Sequence, residues 1–182
     1  MSIVVVYFSG YGHTSLVAEN VAAGANAELI AINENGEITE SDWQKLNNAK
    51  AIIFGAPTYM GGVPWQFKKF ADATSKAWFT RSWQDKIFAG FSNSASLNGD
   101  KQVTLQYLQT LASQHGGVWV SLGLPPANTL AASREDLNNL GGSVGLWVQS
   151  PSDAGADKIP SGDLATATKF GERVAAITAR FN

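Results

Sequence analysis

Five short apolar runs, each followed by a polar or glycine-bearing break and a stretch of helical period, constrain this chain more than any other feature. Residues 3–8 (Ile-Val-Val-Val-Tyr-Phe) are almost wholly β-branched or aromatic and show no polar alternation. That predicts a strand buried on both faces, as parallel sheets require. Residues 14–25 then place Leu16, Val17 and Val21 at helical spacing, with Thr14 or Ser15 as N-cap. The alternation continues with a strand at 28–32, a helix at 37–48 capped by Thr39 or Ser41, and a buried strand at 51–54. Pro64 suits the first position of a helix whose stripe is Phe67, Phe70, Ala71 and Thr74. A strand at 86–91, a helix marked by Val103, Tyr107, Leu108 and Leu111, a strand at 118–122 and a last helix from Ser161 to Arg180 complete the pattern. The expected class is α/β around a central parallel sheet, with residues 1–182 forming one domain. Residues 123–160 form a long irregular excursion, expected to fold over a site or a partner.

Composition narrows the chemistry. The 182 residues contain no cysteine, which excludes disulfides, thiolate metal sites and cysteine nucleophiles. His13 and His115, the two histidines, leave little material for a zinc site, so no metal is expected. Thirteen basic against fifteen acidic residues give a net charge of −2, which does not suit a nucleic-acid binder. The apolar opening stops at Ser9-Gly10 and carries no basic leader, so neither export nor membrane insertion is expected and a cytoplasmic location is.

In a parallel sheet, ligands bind beyond the carboxyl ends of the strands, where strand order reverses. Three loops leave that edge. The first, Ser9-Gly10-Tyr11-Gly12-His13-Thr14, reads as an anion cradle: glycines let amides turn inward, and the helix behind adds about half a positive charge. The alternative is a tight turn whose hydroxyls only cap the helix. No lysine completes a nucleotide P-loop, and Ser15 stands where a dinucleotide loop needs its third glycine, although Glu34 imitates the ribose acid. The second loop, Pro57-Thr58-Tyr59-Met60-Gly61-Gly62, offers aromatic and soft apolar surface with close backbone approach. The third, Ser92 followed by Asn93, Ser94, Ala95, Ser96, Leu97 and Asn98, offers amides and small polar groups to a ring's carbonyl edge. Together the three suit a phosphate joined to a flat ring.

The first loop resembles the FMN phosphate loop of the flavodoxin-like family, and Tyr-Phe-Ser-x-Tyr-Gly-His more narrowly resembles WrbA-type NAD(P)H:quinone oxidoreductases. The likeness continues through Ile-Ile-Phe-Gly-Ala-Pro-Thr-Tyr-Met-Gly at 52–61, Gln66-Phe67, Phe70-Ala71-Asp72, Trp78, Phe91-Ser92, His115-Gly116, Gly141-Gly142 and Pro160-Ser161. The resemblance implies a three-layer α/β/α sandwich with a five-stranded parallel sheet of order 2-1-3-4-5. It implies FMN, with Ser9, Gly10, Tyr11, Gly12, His13 and Thr14 on its phosphate. Pro57, Thr58, Tyr59, Met60 and Gly61 would border its ring, and Asn93 to Asn98 would meet the pyrimidine side. By the same resemblance His115 lies beside the flavin as a catalytic residue, Tyr11 also touches the nicotinamide nucleotide, and Trp78 walls the substrate pocket, often at a subunit contact. A homodimer or homotetramer is implied.

Three departures stand out: Tyr59 replaces the family's usual arginine, the segment between strands two and three is short, and Ser143-Val144 replaces a customary proline-tyrosine. The expected activity is two-step reduction of quinones by NAD(P)H through bound FMN, with His115, Tyr11 or Tyr59 serving the quinone oxygen. The alternative is a flavodoxin-type electron carrier without small-molecule turnover, although such carriers are usually far more acidic than −2. A third class, a flavin-free regulatory module, is suggested only by the excursion and the six tryptophans.

Overall fold

A computed structural model describes residues 2–181. The elements run β1 (Ile3–Tyr7), α1 (His13–Ala25), β2 (Glu28–Ala31), α2 (Glu40–Asn48), β3 (Ala51–Pro57), α3 (Trp65–Ala73) and α4 (Ser75–Phe79). They continue as β4 (Ile87–Ser94), α5 (Lys101–Gln114), β5 (Val118–Trp119), β6 (Leu146–Gln149) and α6 (Ser161–Arg180). All strand pairings are parallel, in the order β2-β1-β3-β4-β5. The unbroken apolar run of β1 has a direct cause. Ile3, Val5 and Tyr7 pack with Val17, Val21, Phe170 and Val174 on one face, while Val4, Val6 and Phe8 pack with Leu46, Phe67, Phe70 and Leu108 on the other. Helices α1 and α6 therefore cover one face, and α2, α3 and α5 cover the opposite one. This is the three-layer α/β/α sandwich of the flavodoxin-like fold.

The fifth place in the sheet departs from expectation. The strand at 118–122 shrinks to Val118–Trp119, paired with Ile87 and Phe88 at the start of β4. The second half of β4, Phe91 to Ser94, pairs instead with Leu146 to Gln149. The sheet is thus six-stranded, and two short strands share one edge. Residues 120–145, the end of the expected strand and the first part of the expected excursion, leave between them and return to finish the ladder. Two strands also run longer than expected: β3 to Pro57 and β4 to Ser94, so Asn93 and Ser94 are held by sheet hydrogen bonds. The helix opened by Pro64 is two helices, broken at Thr74.

The α1 cap was misread. Gly12, at φ 85°, occupies the N-cap with no side-chain cap, so neither Thr14 nor Ser15 serves there. Thr39 does cap α2, through a reciprocal box with Asp42.

α1 is pinned from behind by α6. A methyl at Gly24 would overlap the carbonyl oxygen of Thr168, and one at Gly171 would overlap that of Val21. The two backbones touch because neither glycine has a side chain. Gly24→Val should therefore destabilise the fold by about 3 kcal/mol through overpacking, read as a lower urea midpoint with an unchanged slope. A stability within about 0.5 kcal/mol of the parent would show that the helices separate freely.

Candidate functional site

Strand order reverses between β1 and β3, so their following loops part and open a crevice at the carboxyl edge of the sheet. A cavity of about 870 Å³ lies there, within the size range of small-molecule sites. Its floor is the start of α1. Ser9 Oγ accepts from the Ser15 amide at 3.2 Å, and Leu16 N–H reaches the Gly12 carbonyl at 3.2 Å. The N–H groups of Tyr11, Gly12, His13 and Thr14 have no acceptor among the described residues. Thr14 is only 2% exposed, yet its hydroxyl also has none. Unpaired amides at a helix start, with its positive dipole end, are a site for an anion. The cavity lining contains no lysine or arginine, and its one acidic residue, Asp153, is solvent-exposed.

The β3 loop supplies one wall. Thr58 Oγ1 lies 2.8 Å from Ser92 Oγ and 2.7 Å from Thr104 Oγ1, joining three elements through hydroxyls. Tyr59 and Gly62 exchange backbone bonds across Met60 and Gly61, both at positive φ. That is the geometry of a tight primed hairpin turn, which lifts Met60 fully into solvent. The Tyr59 ring meets Tyr11 edge-on at 6.3 Å and lies over Gly10, where a methyl would sit 2.7 Å from the phenol oxygen. Burial, then the neighbouring Tyr11, pushes the Tyr59 phenol up from its ordinary value, so it stays a protonated donor.

The opposite wall was not assigned from sequence. Ser150, Ser152, Asp153, Ala154 and Gly155 line the cavity. His13 fastens this segment: Nε2 lies 2.9 Å from the Ala154 carbonyl and Nδ1 lies 3.0 Å from Ser150 Oγ. Facing a carbonyl, Nε2 must carry a proton and donate. Ser150 in turn bonds the Asn93 side chain at 2.9 and 3.0 Å. One chain of polar groups thus joins the first loop, β4 and the turn after β6. The sequence signal was present in the Ser150-Pro151-Ser152-Asp153 turn cluster inside the excursion, but its spatial neighbour was not.

Of the expected residues, Ser9, Tyr11, His13, Thr14, Pro57, Thr58, Tyr59, Asn93, Ser94 and Ala95 line this cavity. Gly10, Gly12, Met60, Gly61, Ser96, Leu97 and Asn98 belong to the loops that carry it without lining it. Trp78 and His115 do not come to it. They line a separate cavity of about 300 Å³ with Thr74, Tyr107 and Gln114. His115 follows the carboxyl end of α5, so it sits at the amino edge of the sheet, opposite the crevice. Its ring lies 4.7 Å from Trp83 and 6.5 Å from Phe88. Thr74 Oγ1 gives its proton to the Ala71 carbonyl at 2.7 Å, so His115 Nε2–H donates to Thr74 at 2.9 Å. Nδ1 is then a buried lone pair without a partner. Within its own chain His115 is a packed, neutral imidazole that lines the smaller cavity and not this one.

Two measurements check these assignments. Ser150→Ala removes the link between His13 and Asn93 and should cost about 1–2 kcal/mol. It should also speed amide exchange in 150–155; unchanged exchange there would mean that His13 does not hold the segment. Burial holds the His115 pKa below its ordinary 6.5. The unfolded chain therefore binds the proton first, and the stability that neutral His115 provides falls as pH drops below about 6.5. The difference in urea midpoint between the parent and His115→Gln should narrow on acidification, and a constant difference from about pH 7.5 to 5 would contradict this reading.

Comparison with known proteins follows the same lines. A model of the family described as NADPH-dependent FMN reductase matches residues 12–125. The chain is 67% identical over 174 residues to "Flavodoxin FldP" of Pseudomonas aeruginosa, covering 96% of this chain and 95% of that one. It is 30% identical over 207 residues to an NAD(P)H dehydrogenase (quinone) of Geobacter sulfurreducens, with all of both chains covered. Among solved structures, a flavodoxin, WrbA-like protein from Agrobacterium tumefaciens superposes with a TM-score of 0.83 at 51% identity, covering 100% of this chain and 99% of that one.

Proposed function

Because the chain belongs to the NADPH-dependent FMN reductase family, we propose that it is an FMN-carrying electron-transfer protein of the flavodoxin kind. One observation carries the reading: four unpaired amides and the free Thr14 hydroxyl at the floor of the 870 Å³ cavity. These donors fit a phosphate dianion without any basic side chain, since amide bonds to a charged acceptor each contribute roughly 1.5–3 kcal/mol. Ser9 braces the loop through the Ser15 amide. Thr58 and Tyr59 on one side, and Asn93 to Ala95 on the other, bound the space left for the ring.

FMN, when bound, supplies the capacity to take up and release electrons; the chain supplies placement and field. The phosphate loop anchors one end of the cofactor. The protonated Tyr59 phenol and the amides of the third loop offer hydrogen bonds rather than charges, and the one acid of the lining, Asp153, is turned to solvent. Tyr11 is 82% exposed and Met60 is fully exposed at the rim, which leaves an apolar surface where a redox partner can approach closely.

The second reading, turnover of NAD(P)H and quinones, is favoured by the family description and by the Geobacter relative. Its support from the site is thinner. Trp78, expected to wall the substrate pocket, and His115, expected beside the flavin, lie together in the smaller cavity away from the crevice. They can reach a flavin only if a second copy presents that face. Tyr59 stands where an arginine would meet a nucleotide phosphate.

Anaerobic mixing of FMN-loaded protein with NADH or NADPH separates the two readings. The carrier reading expects bleaching on a scale of minutes or slower with both nucleotides, against roughly 1–10³ turnovers per second for an ordinary enzyme. Bleaching within milliseconds, followed by rapid reoxidation with a quinone, would replace the carrier with an oxidoreductase.

A further inference from the structure

Lys101 is a lysine with no exposed surface, and nothing in the electron-transfer reading uses it. It opens α5, directly behind the third loop. Nζ donates to Ser94 Oγ and the Ser96 carbonyl at 2.7 Å each, and to the carbonyls of Leu97 and Asn98 at 3.0 Å each. Four oxygens thus surround three N–H bonds. The Trp147 ring closes the other side, its centroid 5.8 Å from Nζ. Gly99 at φ 52° and Asp100 at φ 53° make the reversal that folds the loop back over this ammonium. A methyl at Gly99 would collide with Ser94 Oγ, so the wrapping leaves no room for a side chain there.

The consequence lies on the loop's other surface. In a trans peptide the carbonyl and the following N–H point in opposite directions. The carbonyl of Ala95 accepts from Gln149 Nε2 at 2.7 Å, and those of Ser96, Leu97 and Asn98 accept from Lys101. Drawing these four carbonyls inward turns the next four N–H groups outward. The amides of Ser96, Leu97, Asn98 and Gly99 indeed have no acceptor among the described residues. Successive outward amides backed by a fixed cation form a concavity for an electron-rich acceptor.

We propose that Lys101 is a positioning residue for the flavin: its buried ammonium holds Ser94 and gathers the carbonyls of the third loop, so that the part of the loop lining the cavity, Ser94 and Ala95, stays in place and a positive field stands behind the ring. The proposal rests on the FMN reading above. Lys101 does not touch the ring; it acts through the backbone it organises. Removing it should weaken ring binding without altering the phosphate loop, which lies on another element.

Lys101→Met keeps an unbranched side chain, one atom shorter, and removes the charge. The proposal expects FMN affinity to fall about tenfold, the loss of one charge-assisted bond's worth of order. The dissociation constant of inorganic phosphate for the first loop, measured without FMN, should stay unchanged. The midpoint potential of the bound flavin should become more negative, because a positive charge that favours added electrons has gone. Parental affinity and potential in a folded variant would overturn the proposal and leave FMN binding intact. Failure of the parent itself to take up FMN would overturn both.

The parent provides a test that does not depend on the variant folding. Burial lowers the Lys101 ammonium to about 8, against Asp100 and Asp163, which oppose the shift, and Arg134, which adds to it. Asp163 is held by Arg134 at 2.6 Å. FMN affinity should therefore fall as pH rises through about 8, when the amine loses its charge and one donor. A flat profile from about pH 7 to 9.5 would overturn the proposal.

Discussion

Four backbone N–H groups at the start of α1, from Tyr11 to Thr14, have no acceptor among the described residues, and Tyr11, His13 and Thr14 line the cavity. The rest of the fold can be understood as what keeps them aimed there. β1 is buried on both faces, so its end is fixed within the sheet. The Gly24 and Gly171 contacts press α1 against α6, and His13 ties the loop to the turn after β6. Fixed amide dipoles need no reorganisation when an anion arrives, which is why a site without lysine or arginine in its lining can hold a dianion.

Positive charge is used here indirectly. The buried ammonium of Lys101 stands behind the third loop and Arg134 pairs with the buried Asp163, while the cavity surface offers hydroxyls and amides. Asp163 also accepts from the Gln149 amide at 2.9 Å, so β6, the excursion and α6 meet at one carboxylate. The composite edge of the sheet follows from this arrangement. β6 completes the ladder beside Asn93 and Ser94, and the turn after it becomes a wall of the site.

Fold class was legible because the relevant signals are local: β-branched runs, helical stripes and the breaks between them; strand order is not local and followed from the family resemblance. The two-faced burial of β1 could be read from 3–8 alone. The first loop was legible for the same reason, since glycine spacing and a following helix lie within one short segment. What escaped depends on contacts distant in sequence. Nothing in residues 118–122 shows that the strand stops at Trp119, because Leu146 to Gln149 compete for the same edge of β4. The turn at 150–155 gains its meaning only from His13, 137 positions from Ser150. Lys101 carried no signal in the sequence, because its burial depends on the loop wrapped around it. The edge of the sheet on which His115 falls was not legible, because a family pattern fixes its place along the chain but not where a helix end lies in the fold.

The central claim is that a phosphate dianion held by backbone amides anchors the cofactor. It is tested most directly by titrating the same protein with FMN and with riboflavin, which differ by that phosphate alone. If the Tyr11 to Thr14 amides carry the affinity, FMN should bind at least about a hundredfold more tightly than riboflavin, the equivalent of roughly two charge-assisted hydrogen bonds. Equal affinity for the two, or no uptake of either, would contradict the account.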